Sequence, residues 1–166
     1  MKGISAKEME LVSYLEFHEK YFFSSEDADR FSRNTFQRYN LIKNLLAKKR
    51  IIKLNRNKYY LVPVKAKTGS WAEDSFILVD EMCNGKDYLI GGWAAANYWH
   101  LTEQVPMQVD VYTTRRQGKK EILSARIVFH RTSKKKIAGA VRQHIGGHGF
   151  MIQGKEASRK WLISRD

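Results

Sequence analysis

A helical apolar stripe that hands over at once to two short alternating segments is the feature that most limits how this chain can fold. At 100° per residue, Tyr39, Ile42, Leu45 and Leu46 share one side of a helix predicted over residues 34–49, with Leu41 at its edge. Gln37, Asn40, Lys43 and Asn44 fall on the opposite side. Ile51, Ile52 and Leu54 then mark a short strand over 51–54, Asn55-Arg56-Asn57 carries turn chemistry, and residues 59–62 read as a second strand. Such a hairpin is marginal alone and needs the helical part to pack against.

Two helices are expected upstream. Residues 6–19 place Met9, Leu11, Val12, Leu15 and Phe17 at helical spacing, with Ser5 as N-cap. Ser24 or Ser25 can cap a second short helix ending near Phe31, whose first turn holds Glu26 and Asp27 where the helix dipole favours carboxylates. Three helices followed by a β-hairpin is the order of a winged helix-turn-helix, predicted over residues 1–64. In that fold the third helix enters the major groove and the hairpin tip rests on phosphates.

Charge sharpens this reading. Residues 30–72 hold twelve Lys and Arg side chains and no Asp or Glu, within a chain of net charge +13. Residues 73–110 are acidic and residues 111–166 basic again. Charge needed only for solubility has no reason to segregate, so the pattern points to a polyanion. The expected partner is double-stranded DNA. Arg33, Asn34, Thr35, Gln37, Arg38, Asn40, Lys43 and Asn44 are the candidates on the third helix. Asn and Gln can pair bidentately with adenine, while Lys and Arg serve guanine or phosphate. Arg38 projects beside the apolar stripe and is expected to reach a phosphate from the edge. Arg56 and Lys58 flank the hairpin tip, for phosphates that add affinity without sequence information.

The charge sign flips after a polar linker at 65–70, and residues 71–166 form a second predicted domain. A helix is expected over 71–83, stopped by Asn84-Gly85, then an extended piece at 88–90 and an Ala-rich helix over 93–101. "MQVDVYTT" and "EILSARIVFHR" alternate as strands with "RRQGKK" as the turn between them. Residues 150–153 are a third extended piece, and a last helix begins near Glu156. The expected fold class is α+β: a winged helix-turn-helix, then a small mixed α/β domain with an antiparallel sheet. Arg115, Arg116, Lys119 and Lys120 crowd the predicted turn, and Lys134, Lys135 and Lys136 a predicted loop, as a second basic patch for DNA or RNA. Trp93, Tyr98 and Trp99 are assigned to the core.

The segments "KYYLVP", "WAAANYWHLTEQVP" and "VDVYTT", followed by a basic strand ending "IVFHR", together resemble the AbiEi-type antitoxins of bacterial abortive-infection systems. The resemblance runs in order over nearly the whole chain. Its most telling piece is the small-residue helix running into His100-Leu101-Thr102, then Gln104 and Pro106. It implies a type IV antitoxin whose N-terminal domain binds inverted repeats at its own promoter and represses the operon. Its C-terminal domain would counteract a nucleotidyltransferase-like toxin without a stable complex. Proteins of this kind usually continue with further helices after the stretch matching "GKEASRKWLISRD".

No catalytic constellation emerges, so no enzyme activity and no cofactor are expected. His130, His144 and His148 lack the tight Cys/His spacing of a zinc site, and Ile-Gly-Gly between the last two will not hold a helical pair. "IGGHGF" lacks the Gly-Lys-Ser/Thr of a phosphate loop. A restriction-type nuclease needs an acidic residue and then Glu-x-Lys; Asp110 supplies the first, but Ile-Leu-Ser follows Glu121. Hydrophobic residues at 43% support a real core, and the lone Cys83 cannot form an internal disulfide, which fits a reducing compartment. No apolar run approaches a membrane span, and a cytoplasmic location without membrane contact is expected. Two other classes remain open: a DNA-binding regulator without a toxin, and an RNA-binding module. The strands lack the paired aromatic positions that RNA platforms use.

Overall fold

The computed structural model describes residues 3–64 and 73–165. The linker at 65–70 and the expected helix start at 71 lie outside them. The fold is mixed α+β, with six α-helices and one 3₁₀ helix among the described residues. The chain divides into two compact units, Met1–Trp71 and Ala72–Asp166.

In unit 1, α1 (Ala6–Phe17) begins at a capping box. The Glu8 backbone N–H donates to Ser5 Oγ, and the Ser5 backbone N–H donates to Glu8 Oε2 at 2.8 Å. Strand β1 (Phe22–Ser24) follows, and its pairing was not legible in a three-residue segment. The second helix is a 3₁₀ helix, Ser25–Phe31, rather than an α-helix. Helix α2 (Thr35–Ala47) then leads into β2 (Ile51–Lys53) and β3 (Lys58–Leu61). The antiparallel sheet runs β1-β3-β2, so the hairpin is completed by a strand from before α2. Leu11 and Leu15 of α1, Phe23 of β1, and Leu41, Ile42 and Leu45 of α2 meet in one buried core.

Unit 2 contains α3 (Ser75–Cys83), β4 (Tyr88–Gly91), α4 (Gly92–Tyr98), β5 (Val109–Thr113), β6 (Gly118–Ile122) and β7 (Ala125–Arg131). The one-turn α5 (Lys134–Ile137), β8 (Ala140–Ile145), β9 (His148–Gln153) and α6 (Lys155–Ile163) complete it. Asn84 closes α3 in the left-handed conformation at φ 56°, as its sequence position suggests. Six strands form one sheet in the order β6-β7-β5-β4-β9-β8. The expected antiparallel sheet is corrected to a mixed one, because β5 pairs parallel with β7 and β4 parallel with β9. The expected turn "RRQGKK" is corrected too. Gly118, Lys119 and Lys120 begin β6, and the β6–β7 hairpin turns at Leu123-Ser124, both at positive φ. Alternation identifies a strand but not its neighbour, so the insertion of β6 at the sheet edge was invisible locally.

Gly146 and Gly147, at φ 53° and 82°, form the two-residue β8–β9 turn. Trp93, Tyr98 and Trp99 are half-buried. Trp93 packs edge-on against Trp161 at 5.3 Å, Tyr98 against Phe150 at 5.5 Å, and Trp99 Nε1 donates to the Gln153 carbonyl at 2.7 Å. No helix among the described residues is long and apolar enough to cross a membrane.

Candidate nucleic-acid interface

The start of α2 is built by the side chains that its sequence offered for bases. Asn34 is the N-cap, its Oδ1 accepting from the Gln37 backbone N–H at 2.9 Å. Gln37 Oε1 in turn accepts from the Arg33 backbone N–H at 3.0 Å. Both acceptors are therefore committed to holding the helix end. Arg38 Nη1 donates to Asp29 Oδ1 at 2.7 Å, an ion pair within the unit that the sequence reading did not include. Lys48, from the same basic stretch, pairs with the buried Glu8. Residues 1–29 thus return carboxylates to a segment that has none of its own.

What α2 turns outward differs from the expected polar face. Leu41, Ile42 and Leu45 are buried, but Tyr39, assigned to the apolar stripe, is 61% exposed, and Phe36 is 72% exposed. Nine residues separate Phe36 from Leu45, two and a half helical turns, so they point opposite ways. That spacing was available in the sequence and could have found Phe36. Lys43 and Asn44 are exposed and Asn40 half-buried on the outward side, and the Lys43 ammonium lies 5.9 Å from the Tyr39 ring centre.

Six of the ten candidates divide over two flanks. Thr35, Arg38, Tyr39 and Lys43, with Lys53 and Tyr59 of the hairpin strands, line a cavity of about 380 Å³ between α2 and the sheet. Gln37, Asn40 and Asn44 line a hollow of about 290 Å³ toward α1. Arg56 is exposed in the hairpin turn, and the Lys58 backbone N–H donates to Asn55 Oδ1 at 3.0 Å where β3 begins. Among the described residues, Arg33, Lys43, Lys49 and Arg56 form no ion pair. Unpaired cations of this kind can neutralise phosphates and release the counterions condensed on a duplex.

The second basic patch is dispersed. Arg115 pairs with Asp87 at 2.9 Å, and Arg116 stacks its guanidinium on Phe129 at 3.7 Å. Lys119 and Lys120 sit on the edge strand β6, opposite Val128 and Ile127, and so alternate between its faces. The predicted loop holding Lys134, Lys135 and Lys136 is corrected to helix α5, and the Lys136 ammonium lies 3.6 Å from the Tyr112 ring centre.

Two of the three histidines considered in the sequence, His130 and His148, are brought to carboxylates. His130 Nε2 lies 2.7 Å from Asp110 Oδ1, which also accepts from Gln108 Nε2 at 3.0 Å. His148 Nε2 lies 3.0 Å from Asp80 Oδ2 and 3.7 Å from Glu81 Oε1, while Tyr88 donates to Asp80 Oδ1 at 2.7 Å. Asp80, Glu81 and His148 have ligand-type atoms within 4.8 Å of one another, a set that could take a metal ion. In sequence the near neighbour of His148 is His144; Asp80 lies 68 residues away and leaves no local signal. Burial pushes the Cys83 thiol up to about 11, outweighing the nearby Arg116, so it is a poor nucleophile at neutral pH.

The chain matches no protein-family model and no curated protein sequence.

Proposed function

We propose that residues 3–64 are a winged-helix DNA-binding module, with α2 as the recognition helix and the β2–β3 hairpin as the wing. We further propose that the whole chain is a transcriptional regulator of the AbiEi antitoxin type. In this reading it represses its own operon at inverted repeats and counteracts a nucleotidyltransferase-like toxin without forming a stable complex. The observation that carries the DNA-binding part is the set of cations that form no ion pair among the described residues: Arg33 just before α2, Lys43 on it and Arg56 in the hairpin turn. The order helix, strand, 3₁₀ helix, helix, hairpin, with β1 completing the wing's sheet, supports the same reading. The antitoxin part rests on the resemblance of the quoted segments.

Salt dependence tests the interface. Replacing Lys43 and Arg56 together with alanine is expected to weaken binding to any duplex and to flatten the slope of log affinity against log salt by about two units. An unchanged slope would remove both residues from the interface.

The antitoxin part has its own test. Full-length protein co-expressed with a nucleotidyltransferase-like toxin from the neighbouring reading frame is expected to restore growth. Failure of rescue, with DNA binding intact, would leave a regulator without a toxin.

A further inference from the structure

We propose that Phe36 reads thymine in the bound duplex, through apolar contact with its 5-methyl group. This rests on the DNA-binding reading and assigns a base specificity within it. Phe36 is the second residue of α2, in the first turn, where a helix of this fold class contacts base edges. It is 72% exposed and points away from the core. Its neighbours on the outward stripe are polar or basic: Asn40 one turn on at i+4 and Lys43 at i+7, with Arg33 just before the helix. A phenyl ring in the middle of a cationic surface gains nothing from phosphates. Charge complementarity gives the surface to a polyanion, and on the major-groove floor the one apolar feature is the thymine methyl.

The arrangement of the other side chains supports the choice. Gln37 and Asn34 spend their acceptors on the helix end, and Arg38 is tied to Asp29. This leaves Phe36, with Asn40, Lys43 and Asn44, as the outward side chains of α2 suited to base edges. Phe36 is the apolar one of the four, and Asn40 one turn on suits adenine N6 and N7, so these two together favour a half-site containing thymine and adenine. Tyr39 is 61% exposed on the flank facing the hairpin, beside Lys43, and belongs with the backbone contacts rather than with the bases.

The test uses the full-length protein and starts by selecting its preferred duplex from a randomised pool. Each thymine of that duplex is then replaced by uracil, which removes the methyl and keeps the base pairing. One such replacement, in a single half-site, is expected to weaken wild-type binding about fourfold, the effect of burying one CH₂-sized group. Phe36→Ala is expected to bind the thymine duplex at least fourfold more weakly than wild type and to lose the distinction between thymine and uracil. Phe36→Leu, still apolar, is expected to keep part of it. Because Phe36 lies outside the core, both variants should fold, and circular dichroism checks that they do. Wild-type indifference to every uracil replacement would overturn the proposal, and so would a Phe36→Ala variant that keeps the uracil penalty. If no duplex is selected and no salt-dependent binding is found, the DNA-binding reading fails and takes this proposal with it.

Discussion

Replacing Glu8 with alanine is expected to destabilise unit 1 by about 3–5 kcal/mol, the range for removing one partner of a buried ion pair. Glu8 is 1% exposed, and its carboxylate serves two elements at once. It closes the capping box of α1 by accepting from the Ser5 backbone N–H, and it receives the Lys48 ammonium from the end of α2. Alanine opens the box and strands a half-buried cation. Against a typical domain stability of about 5–15 kcal/mol, that loss is large. Glu8→Gln keeps the acceptor for Ser5 and removes only the charge, so its cost should be smaller, and adding Lys48→Met should recover part of it. Chemical denaturation followed by amide exchange at Leu11 and Leu15 isolates unit 1 and checks the order of the variants. Equal stability of wild type and Glu8→Ala would show that the pair contributes nothing.

The same carboxyl gives a pH dependence. Burial raises the Glu8 pKa, but the hydrogen bond from Lys48, the Ser5 backbone N–H and the Lys48 charge together outweigh it and hold it below 4.5. A group whose folded pKa is depressed contributes its stability above the unfolded pKa and loses it as pH falls through the folded one. Unit 1 should therefore weaken progressively below about pH 4.5, and Glu8→Gln should flatten that decline.

In unit 2 a large effect is expected at Gly92. Its φ is +62°, and a Cβ built there would lie 3.2 Å from Asp110 Oδ2. The left-handed conformation costs a residue with a side chain about 1–2 kcal/mol, more if β-branched, and overpacking adds about 1–3 kcal/mol. Gly92→Val is expected to cost roughly 3–4 kcal/mol in all, with Gly92→Ala nearer the lower part of that sum. Gly139 is the control: its φ is ordinary and the nearest atom to a Cβ is a carbonyl oxygen at 3.5 Å, so Gly139→Ala should be close to neutral. Trp93, packed on Trp161, offers a fluorescence signal for unfolding of this unit. A Gly92→Val protein as stable as the control would show that the close approach of α4 to β5 is not demanding.

These two sites show different degrees of legibility. Helices α1, α2 and α3 and the hairpin β2–β3 could be read because their period or their caps are written in adjacent residues. Ser5 with Glu8 three positions on is a local signature, and so is Asn84 after the last apolar turn of α3. Strands β1, β6 and β8 could not be read. Each is short or polar, and each exists because a partner strand satisfies its backbone groups.

The amino-acid sequence by itself determined where helical and alternating periods lie, that the chain changes charge sign three times, and that a carboxylate-free block coincides with a helix and a hairpin. Those properties depend on residues a few positions apart. Only the tertiary structure decided which of the basic and amide side chains stay available. Lys48 meets Glu8 forty residues away, Arg38 meets Asp29, Asn34 and Gln37 turn back on the helix end, and Phe36 and Tyr39 take the outward surface. The parallel pairing of β5 with β7 and of β4 with β9 was decided in the same way. The physical reason is common to all of them. Periodicity is set by local backbone geometry, whereas a partner is set by what packing brings within a few ångströms, and a single stretch of sequence carries no record of that.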